Sequence, residues 1–563
     1  MRFALRAAVV SWLATLVVPA FASAQATGIV TGRVTDGQTG EPLIGARIAV
    51  AGSISGTVTR ANGTYRLSLP AGGYEVRISA IGYGLRRVQV TVPAGGTVTQ
   101  DVALERAPVA LDELAVTGTR APERSSVEAP VPVDVLTEAE IKSSGRTETA
   151  QIIQMLAPSF NFPRTSIADG TDHTRPATLR GLAPDQVLVL VNGKRRHVSA
   201  LINVNGTVGR GSGMVDLNAI PASAIDRIEI LRDGAAAQYG SDAIAGVINI
   251  ILKANAANEI AGTTGTTTEG DGEVAQGALS YALPLGGRGF LQLSGEYRSR
   301  NPTNRSGLDV RQQYFTGDPR NSNPPRHTSW QGDGDILDRV AFFNGAYNPV
   351  GSLEVYGFGG YGVRDGNAWG FFRRPLDDRT VRALHPDGFL PQIHTDILDA
   401  SGVAGVRSAW QGWRWDLSAN GGVNGFTFQV RNSNNVTLGA AGPTEFDAGK
   451  LEAALLSFNL DAVKPFDVGL ASPLNVAFGA EYRRDYYEIT AGEPASYFDG
   501  GVRILDGPNA GAQGAVGAQV FPGFQPGNAV DVSRNNIGAY LDLETRFTDR
   551  LLVGAAARWE DYS

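Results

Sequence analysis

Histidine and cysteine, the side chains most used for metal binding and nucleophilic catalysis, are scarce in this sequence. Cysteine is absent, and the five histidines are His173, His197, His327, His385 and His394. No two of these histidines have the spacing of zinc ligands, and neither a Cys-x-x-Cys pair nor a nucleophile–base pair is recognisable. The sequence therefore predicts no protein-built metal site, no cofactor and no enzymatic activity.

The composition narrows the class of protein further. A net charge of −7 over 563 residues is mild and argues against nucleic acid as the main partner. The 70 glycines suit tight hairpins and crowded strands better than helix bundles. A hydrophobic share of 42% would pass for a soluble protein. It also fits a transmembrane β-barrel, in which only alternate residues need to be apolar.

The first 24 residues have the pattern of an export signal. Arg2 and Arg6 precede the apolar stretch 7–20, and Ala22-Ser23-Ala24 fits a small-residue cleavage site. The alternative, a membrane-anchor helix, would need a longer apolar span. The mature chain is therefore expected in the periplasm, outside the cell or in an outer membrane.

The next two segments are a small domain and a linker. Residues 27–105 alternate in short strands separated by turns such as Asn62-Gly63 and Gly72-Gly73, which predicts a β-sandwich. Residues 106–124 contain prolines at 108 and 122 and form an extended linker. The middle of this linker has strand chemistry. It is either a plain spacer or a strand that pairs with a partner's sheet edge.

Residues 125–253 are predicted to form a mixed α/β domain. Thr137 and Glu140 have capping-box spacing, so a helix should begin there. The apolar run 187–191 is followed by Asn192-Gly193 and reads as a buried strand entering a hairpin turn. Further strands are expected at 227–231 and 247–252.

From residue 258 to residue 563 the pattern changes to long alternating strands. Leu291, Leu293 and Tyr297 alternate with polar residues such as Arg298. A soluble sandwich also alternates, but these runs reach roughly ten residues, the length of a tilted membrane-spanning strand. Tight links alternate with long ones such as 301–334, as in outer-membrane barrels. The predicted fold class is therefore mainly β: a sandwich, a mixed α/β domain and an antiparallel transmembrane barrel.

Three segments of the α/β domain resemble the plug of TonB-dependent receptors. They are Leu179-Arg180-Gly181-Leu182, residues 187–195 and residues 220–250. Residues 27–105 resemble the carboxypeptidase-regulatory-like domain. The linker segment is similar to the TonB box, whose residues here are Asp112, Glu113, Leu114, Ala115, Val116 and Thr117.

The resemblance implies an importer of the outer membrane of a Gram-negative-type bacterium, with its N-terminal domain in the periplasm. An extracellular siderophore, cobalamin, haem or oligosaccharide would bind outside, and TonB with its inner-membrane energising complex would drive import. Outer-membrane lipid would surround the barrel. The alternative is a receptor that captures ligand or signals without import.

The resemblance also selects plug residues whose role is structural. Glycines are expected to serve turns or close approach, and charged residues to form ion pairs. The set is Arg180, Gly181, Asn192, Gly193, Glu229, Arg232, Asp233, Gly234, Tyr239, Gly240 and Gly246.

The number of strands departs from the family. About eleven strand candidates follow residue 258, whereas plugged outer-membrane transporters have twenty-two. No turn or partner follows the last candidate, residues 550–562, and the chain ends in Ser563 rather than in an aromatic residue. These features predict that the chain is the N-terminal part of a longer protein and that residues 258–563 form the N-terminal half of an incomplete barrel.

Overall fold

The structure is a computed structural model that describes most of the chain after residue 26. The described residues are 27–37, 39–43, 46–50, 56–60, 62–79, 86–104, 133–203, 207–232, 235–254, 256–286, 288–350, 352–548 and 551–563. The predicted export signal, the linker with its TonB-box segment 112–117, and the plug residues Asp233 and Gly234 lie outside them. The chain divides into two compact units, Met1–Glu113 and Leu114–Ser563.

The first unit is a β-sandwich of two four-stranded sheets. One sheet has the order β4-β1-β7 with β8 also pairing with β1, and the other has the order β3-β2-β5-β6. Alternate side chains of β1 and β4 are buried between the sheets, as expected for strands with one covered face. The strands are β1 (Thr27–Asp36), β2 (Arg47–Val50), β3 (Gly56–Val58), β4 (Thr64–Pro70), β5 (Gly72–Ser79), β6 (Arg86–Val92), β7 (Thr97–Thr99) and β8 (Val102–Leu104).

The second unit begins with the mixed α/β domain, called the plug below. Its sheet has the order β13-β12-β15-β14-β9, in which only β12 and β15 are parallel. Its elements are β9 (Val133–Thr137), α1 (Glu138–Ser143), α2 (Thr149–Leu156), β10 (Phe160–Asn161), β11 (Thr178–Leu179), β12 (Val187–Val191), β13 (Lys194–Arg195), β14 (Ile225–Leu231), α3 (Ala236–Tyr239) and β15 (Gly246–Leu252).

Local sequence explains these elements. Thr137 and Glu140 form the predicted capping box at the start of α1. All five residues of β12 are buried because helices and neighbouring chain cover both sheet faces. Asn192 and Gly193 both have positive φ angles, 46° and 78°, and make the predicted hairpin turn to β13.

Residues 259–562 form one large antiparallel sheet of eleven strands, in which each strand pairs with its sequence neighbours. The strands are β16 (Glu259–Gly265), β17 (Val274–Pro284), β18 (Gly289–Arg300), β19 (Asp335–Val350), β20 (Leu353–Trp369), β21 (Gln392–Trp410), β22 (Trp413–Arg431), β23 (Phe446–Phe466), β24 (Leu474–Ala491), β25 (Val530–Thr548) and β26 (Leu551–Tyr562), with α4 (Pro494–Tyr497) between β24 and β25. Within the described residues, no helix has the length and apolarity to cross a membrane.

The two ends of the large sheet differ. One end, the loop end, carries the connections 266–273, 301–334, 370–391, 432–445 and 492–529. The other, the turn end, carries the connections 285–288, 351–352, 411–412, 467–473 and 549–550. The inner face of the sheet covers the plug, and exposed apolar side chains such as Leu456, Phe458 and Leu460 line the outer face of β23.

Candidate functional site

The plug is held against the inner face of the large sheet by buried ion pairs, which we call the first ion network. Glu148 at the start of α2 pairs with Arg300 of β18, and its second oxygen lies 3.9 Å from Arg175 Nη1. Arg175 in turn places Nη2 2.6 Å from Asp333 Oδ1. Each of these four side chains is at most 8% exposed, so the network excludes solvent.

A second branch of the network crosses three strands. Arg298 of β18 and Arg364 of β20 both bind Asp338 of β19, at 2.5 and 2.6 Å. Arg364 then reaches the plug, where Nη1 lies 2.7 Å from Asp216 Oδ2 and donates to the His173 carbonyl at 2.9 Å. Charges buried at such a depth are stable only when they are paired in this way.

The network fixes the ionisation of the plug groups that face it. Burial opposes the charged form of Glu148, but Arg300 and Arg175 lower its pKa to about 2. Burial, with Arg364 nearby, lowers the pKa of His173 to about 3. Near neutral pH, Glu148 is therefore an anion and His173 a neutral hydrogen-bonding group, whose Nδ1 lies 2.7 Å from Thr395 Oγ1.

The segment after β13 is fixed by Asp399 of β21. Arg196 contacts Asp399 Oδ1, and His197 Nε2 lies 3.0 Å from Asp399 Oδ2. Asn424 of β22 also donates to Asp399 at 3.1 Å and accepts from the Ala200 backbone at 2.8 Å. Burial lowers the pKa of His197, against the opposing effect of Asp399.

Lys194 of β13 makes a further contact between the plug and the large sheet. Its Nζ lies 3.2 Å from both Asp416 Oδ1 and Asp461 Oδ2, on β22 and β23. Burial alone would lower the pKa of Lys194, but the two carboxylates raise it. The hydroxyl groups of Tyr356 and Tyr540 donate to the same two aspartates.

Helix α1 of the plug lies beside the turn end of the large sheet. Lys142 of α1 and Lys253 after β15 both bind Glu259, the first residue of β16, at 2.7 and 3.5 Å. Both lysines also bind Glu138 at 2.9 Å. Helix α1 therefore lies at the end of the large sheet that carries the short turns.

Asn192 and the four described glycines among those selected from the sequence lie at backbone turns and close contacts. Gly181, Gly193, Gly240 and Gly246 have φ angles of 75°, 78°, 104° and 144°. A Cβ atom at Gly246 would lie 2.2 Å from the Leu231 carbonyl oxygen, whereas at Gly181 it would meet nothing within 4 Å. The Asn192 side chain joins the plug to β19 through Asn344 Oδ1 at 3.3 Å.

The charged and aromatic residues selected from the sequence have varied surroundings. Arg232 pairs with Asp134 at 2.9 Å but is 45% exposed, and Arg180 is exposed with a φ angle of 56°. Glu229 is fully buried and binds Arg227 at 2.9 Å. Tyr239 packs against a small apolar cluster behind β12. The free-energy cost of burying a charge therefore applies to Glu229 and not to Arg180 and Arg232, which are exposed.

Sequence reasoning missed the residues that make the ion pairs between the plug and the sheet. The signal was present in the strands, because Arg298, Arg300, Asp338 and Arg364 all fall on the polar side of an alternating pattern. Such a pattern predicts a polar inner face. It does not show which plug residue meets which strand.

Beside the plug, a cavity of about 490 Å³ opens between β12 and strands β23 to β25. Arg195, Arg483 and Arg534 line it together with Asp242 and Asp485. Arg195 and Asp242 are joined at 2.5 Å. The cavity is large enough for a small molecule and has charged groups of both signs.

Comparison with known proteins agrees with this architecture. Residues 125–247 match the TonB-dependent Receptor Plug Domain, and residues 29–105 match the Carboxypeptidase regulatory-like domain. The ferric enterobactin receptor of Pseudomonas aeruginosa is 36% identical over 123 residues, which are 22% of this chain and 16% of that protein. The vitamin B12 transporter BtuB of Vibrio cholerae is 37% identical over 116 residues, 21% of this chain and 17% of that protein.

The fold is likewise that of a plugged receptor barrel. A crystal structure of a ferric enterobactin receptor (PfeA) mutant from Pseudomonas aeruginosa superposes with a TM-score of 0.53 at 15% identity, over 78% of this chain and 58% of that chain. Over residues 125–247 the chain is homologous to the plug domain of TonB-dependent receptors. It carries a plug domain preceded by a carboxypeptidase regulatory-like domain. The matched segments cover less than a fifth of the length of these two curated relatives.

Proposed function

We propose that this protein imports a scarce extracellular ligand across the outer membrane with energy transmitted by TonB. The ligand class is a siderophore, cobalamin, haem or an oligosaccharide. The observation that carries the proposal is a homologous plug domain seated on the inner face of a membrane-type sheet by polar contacts. Relatives named as a ferric enterobactin receptor and a vitamin B12 transporter support a transport role.

The chemistry of the plug contacts suits a part that must move. Glu148, Asp216 and Lys194 meet the sheet through ion pairs and hydrogen bonds. Water can replace such contacts when the plug shifts, whereas an apolar interface would lose its burial energy without replacement. A plug held in this way seals the lumen at rest and can be displaced by work.

The direction of the chain supports coupling from the periplasm. Helix α1 of the plug contacts Glu259 at the turn end, and short turns face the periplasm in outer-membrane barrels. The linker with the proposed TonB box, residues 112–117, precedes this point. In this proposal TonB adds a strand to the box and pulls on the plug from the periplasmic side.

The proposal is tested by substituting Val116→Pro in cells that carry the protein and a working TonB system. Proline removes a backbone donor from the added strand. Uptake of a panel of ferric siderophores, cobalamin, haem and oligosaccharides should fall, while binding of the same ligand at the cell surface should persist.

The matched control is Val109→Pro, which places proline in the same linker outside the box. Uptake should be unaffected by this change. If Val116→Pro left uptake intact, the box assignment would be wrong. If no member of the panel entered in a TonB-dependent manner while one of them bound, the protein would be a receptor without import.

A further inference from the structure

Two carboxylates and one imidazole meet on the outer face of the large sheet near its loop end. Asp365 of β20 and Asp396 of β21 are direct cross-strand partners. The Nε2 atom of His394 lies 3.7 Å from an oxygen of each. One possible ligand atom from each residue falls within 4.8 Å of the other two.

The carboxylates have no basic side chain to balance them. In the described part of the chain, neither Asp365 nor Asp396 has a lysine or arginine nitrogen within 4.0 Å. Arg431, on the next strand, instead donates to Gln429 at 2.7 Å. Like charges directly opposite each other destabilise a sheet, so a cation bound between them would stabilise this pair.

An outer-face acid nearby shows the contrast. Glu452 of β23 binds Lys450 of the same strand at 2.5 Å and is balanced within the protein. Among the described residues, the Asp365–Asp396 pair has only His394 within ion-pair distance.

His394 is a buried side chain whose Nδ1 has no hydrogen-bond partner among the described residues. The side chain is 5% exposed, and Nε2 lies 3.7 Å from an oxygen of each carboxylate. The Oδ1 atom of Asn367, its cross-strand partner, is also buried without a partner. A proton on Nδ1 directed towards Asn367 would leave the Nε2 lone pair free to bind a metal ion.

We propose that Asp365, His394 and Asp396 bind one divalent transition-metal ion. Imidazole nitrogen with carboxylate oxygen suits Zn²⁺ and its neighbours, whereas Ca²⁺ and Mg²⁺ prefer oxygen ligands alone. The carboxylates are 54% and 53% exposed, so water can complete the coordination. Spacing along the sequence gave no metal site, because cross-strand register brings Asp365 to the other two.

The proposed ion would act on the loop end and not on the plug. Arg364 and Thr395 are next to the site residues in the sequence, and their side chains point inwards and contact His173 of the plug. The site therefore lies on the opposite face. Since β20 and β21 are joined by the long connection 370–391, a bound ion would clamp the base of that loop.

The experiment is a calorimetric titration of the detergent-solubilised chain with Zn²⁺. One ion should bind per chain. The double variant Asp365→Asn/Asp396→Asn tests the two carboxylates, and His394→Asn tests the imidazole. Since loss of an outer-shell partner alone costs about 10–100-fold in metal affinity, each variant should weaken binding by at least about 10-fold.

Two control variants separate this site from general surface binding. Glu452→Gln removes an outer-face acid that is already paired, and His327→Ala removes an exposed loop histidine. Neither should change Zn²⁺ affinity. Co²⁺ provides a second readout, because its visible absorption should show a nitrogen ligand that disappears in His394→Asn.

Equal Zn²⁺ affinity in the wild type and the double asparagine variant would overturn the proposal. So would displacement of Zn²⁺ by an equal concentration of Ca²⁺, or a Co²⁺ spectrum unchanged by His394→Asn. Loss of affinity on His327→Ala would assign the binding to the loops instead.

Discussion

Glu148 remains ionised inside the protein because guanidinium groups surround it. Arg300 contacts one of its oxygens, and Arg175 lies 3.9 Å from the other. Its pKa falls from an ordinary 4.5 to about 2. A carboxyl group with a depressed folded-state pKa stabilises the fold above its unfolded pKa, and that stabilisation is lost as the pH falls towards the folded value.

Glu148→Gln should therefore destabilise the second unit at pH 7 by roughly 3–5 kcal/mol, because the buried guanidinium of Arg300 loses its counterion and Arg175 keeps only Asp333. The difference from the wild type should shrink between about pH 5 and pH 2, as the wild-type carboxyl takes up its proton. Unfolding in detergent, followed across this pH range, measures both effects.

Glu273→Gln, at an exposed acid near the loop end, serves as the control and should change little. A Glu148→Gln deficit that stayed constant down to pH 2 would show that packing rather than charge is responsible.

Gly246 and Gly181 separate steric contact from backbone conformation. Both have positive φ angles, but only a Cβ at Gly246 would strike the Leu231 carbonyl oxygen. Gly181→Ala should cost about 1 kcal/mol for its conformation, and Gly246→Ala clearly more. Chemical denaturation of the two variants compares them, and equal costs would refute the close-contact role of Gly246.

At the scale of residues, sequence reasoning worked where one residue type has one physical use. Positive φ angles at Asn192 and Gly193 follow from turn chemistry alone. The Glu148–Arg300 pair could not be predicted, because its members are 152 positions apart and only the folded sheet brings them together.

The strands and helices were more predictable from the sequence than the contacts between them. The capping box at Thr137, the hairpin after β12 and the alternation of β18 each depend on short-range patterns. How the plug sits against β20 to β23 depends on long-range contacts such as Lys194 with Asp461. No local pattern records those contacts.

Contact between the plug and β22 can be tested at Gly422. A Cβ there would lie 2.2 Å from His197 Nδ1 and push the imidazole away from Asp399. Gly422→Ala should destabilise the seated plug by about 1–3 kcal/mol, the usual cost of overpacking. Limited proteolysis in detergent should then cut the plug faster than in the wild type.

Gly402→Ala is the matched control, because this glycine lies on the adjacent strand β21 with open space around its Cβ position. Its proteolysis pattern should be that of the wild type. Equal protection of both variants would mean that His197 does not hold the plug.

The large sheet has a polar inner face and an apolar outer face. Leu460 belongs to the exposed apolar row of β23 and lies four residues after Leu456 and four before Lys464. Leu460→Lys should cost about 2–4 kcal/mol in a bilayer, the penalty for a cation near the midplane of a barrel strand. Folding into lipid vesicles, followed by the heat-modifiable gel shift, measures it.

Thr490→Lys places the same charge on an exposed outer-face position near the loop end and should be tolerated. A similar loss for both variants would argue against a membrane-facing band at Leu460.

The architecture as a whole was predictable from periodicity together with the resemblance. Strand length and unequal connections indicated a membrane-type sheet, and the plug motifs indicated what fills it. The cluster of Asp365 and His394 was not predictable, because it requires the register between β20 and β21.

The charges on the inner face of the large sheet also matter for the chain before it folds. The plug is synthesised first, and the partners of Glu148 and Arg196 follow 152 and 203 residues later. Until those strands arrive, both sets of charges are hydrated. They pair with each other only when the sheet forms against the plug. We therefore expect the side chains that seat the plug to help keep the unfolded chain soluble.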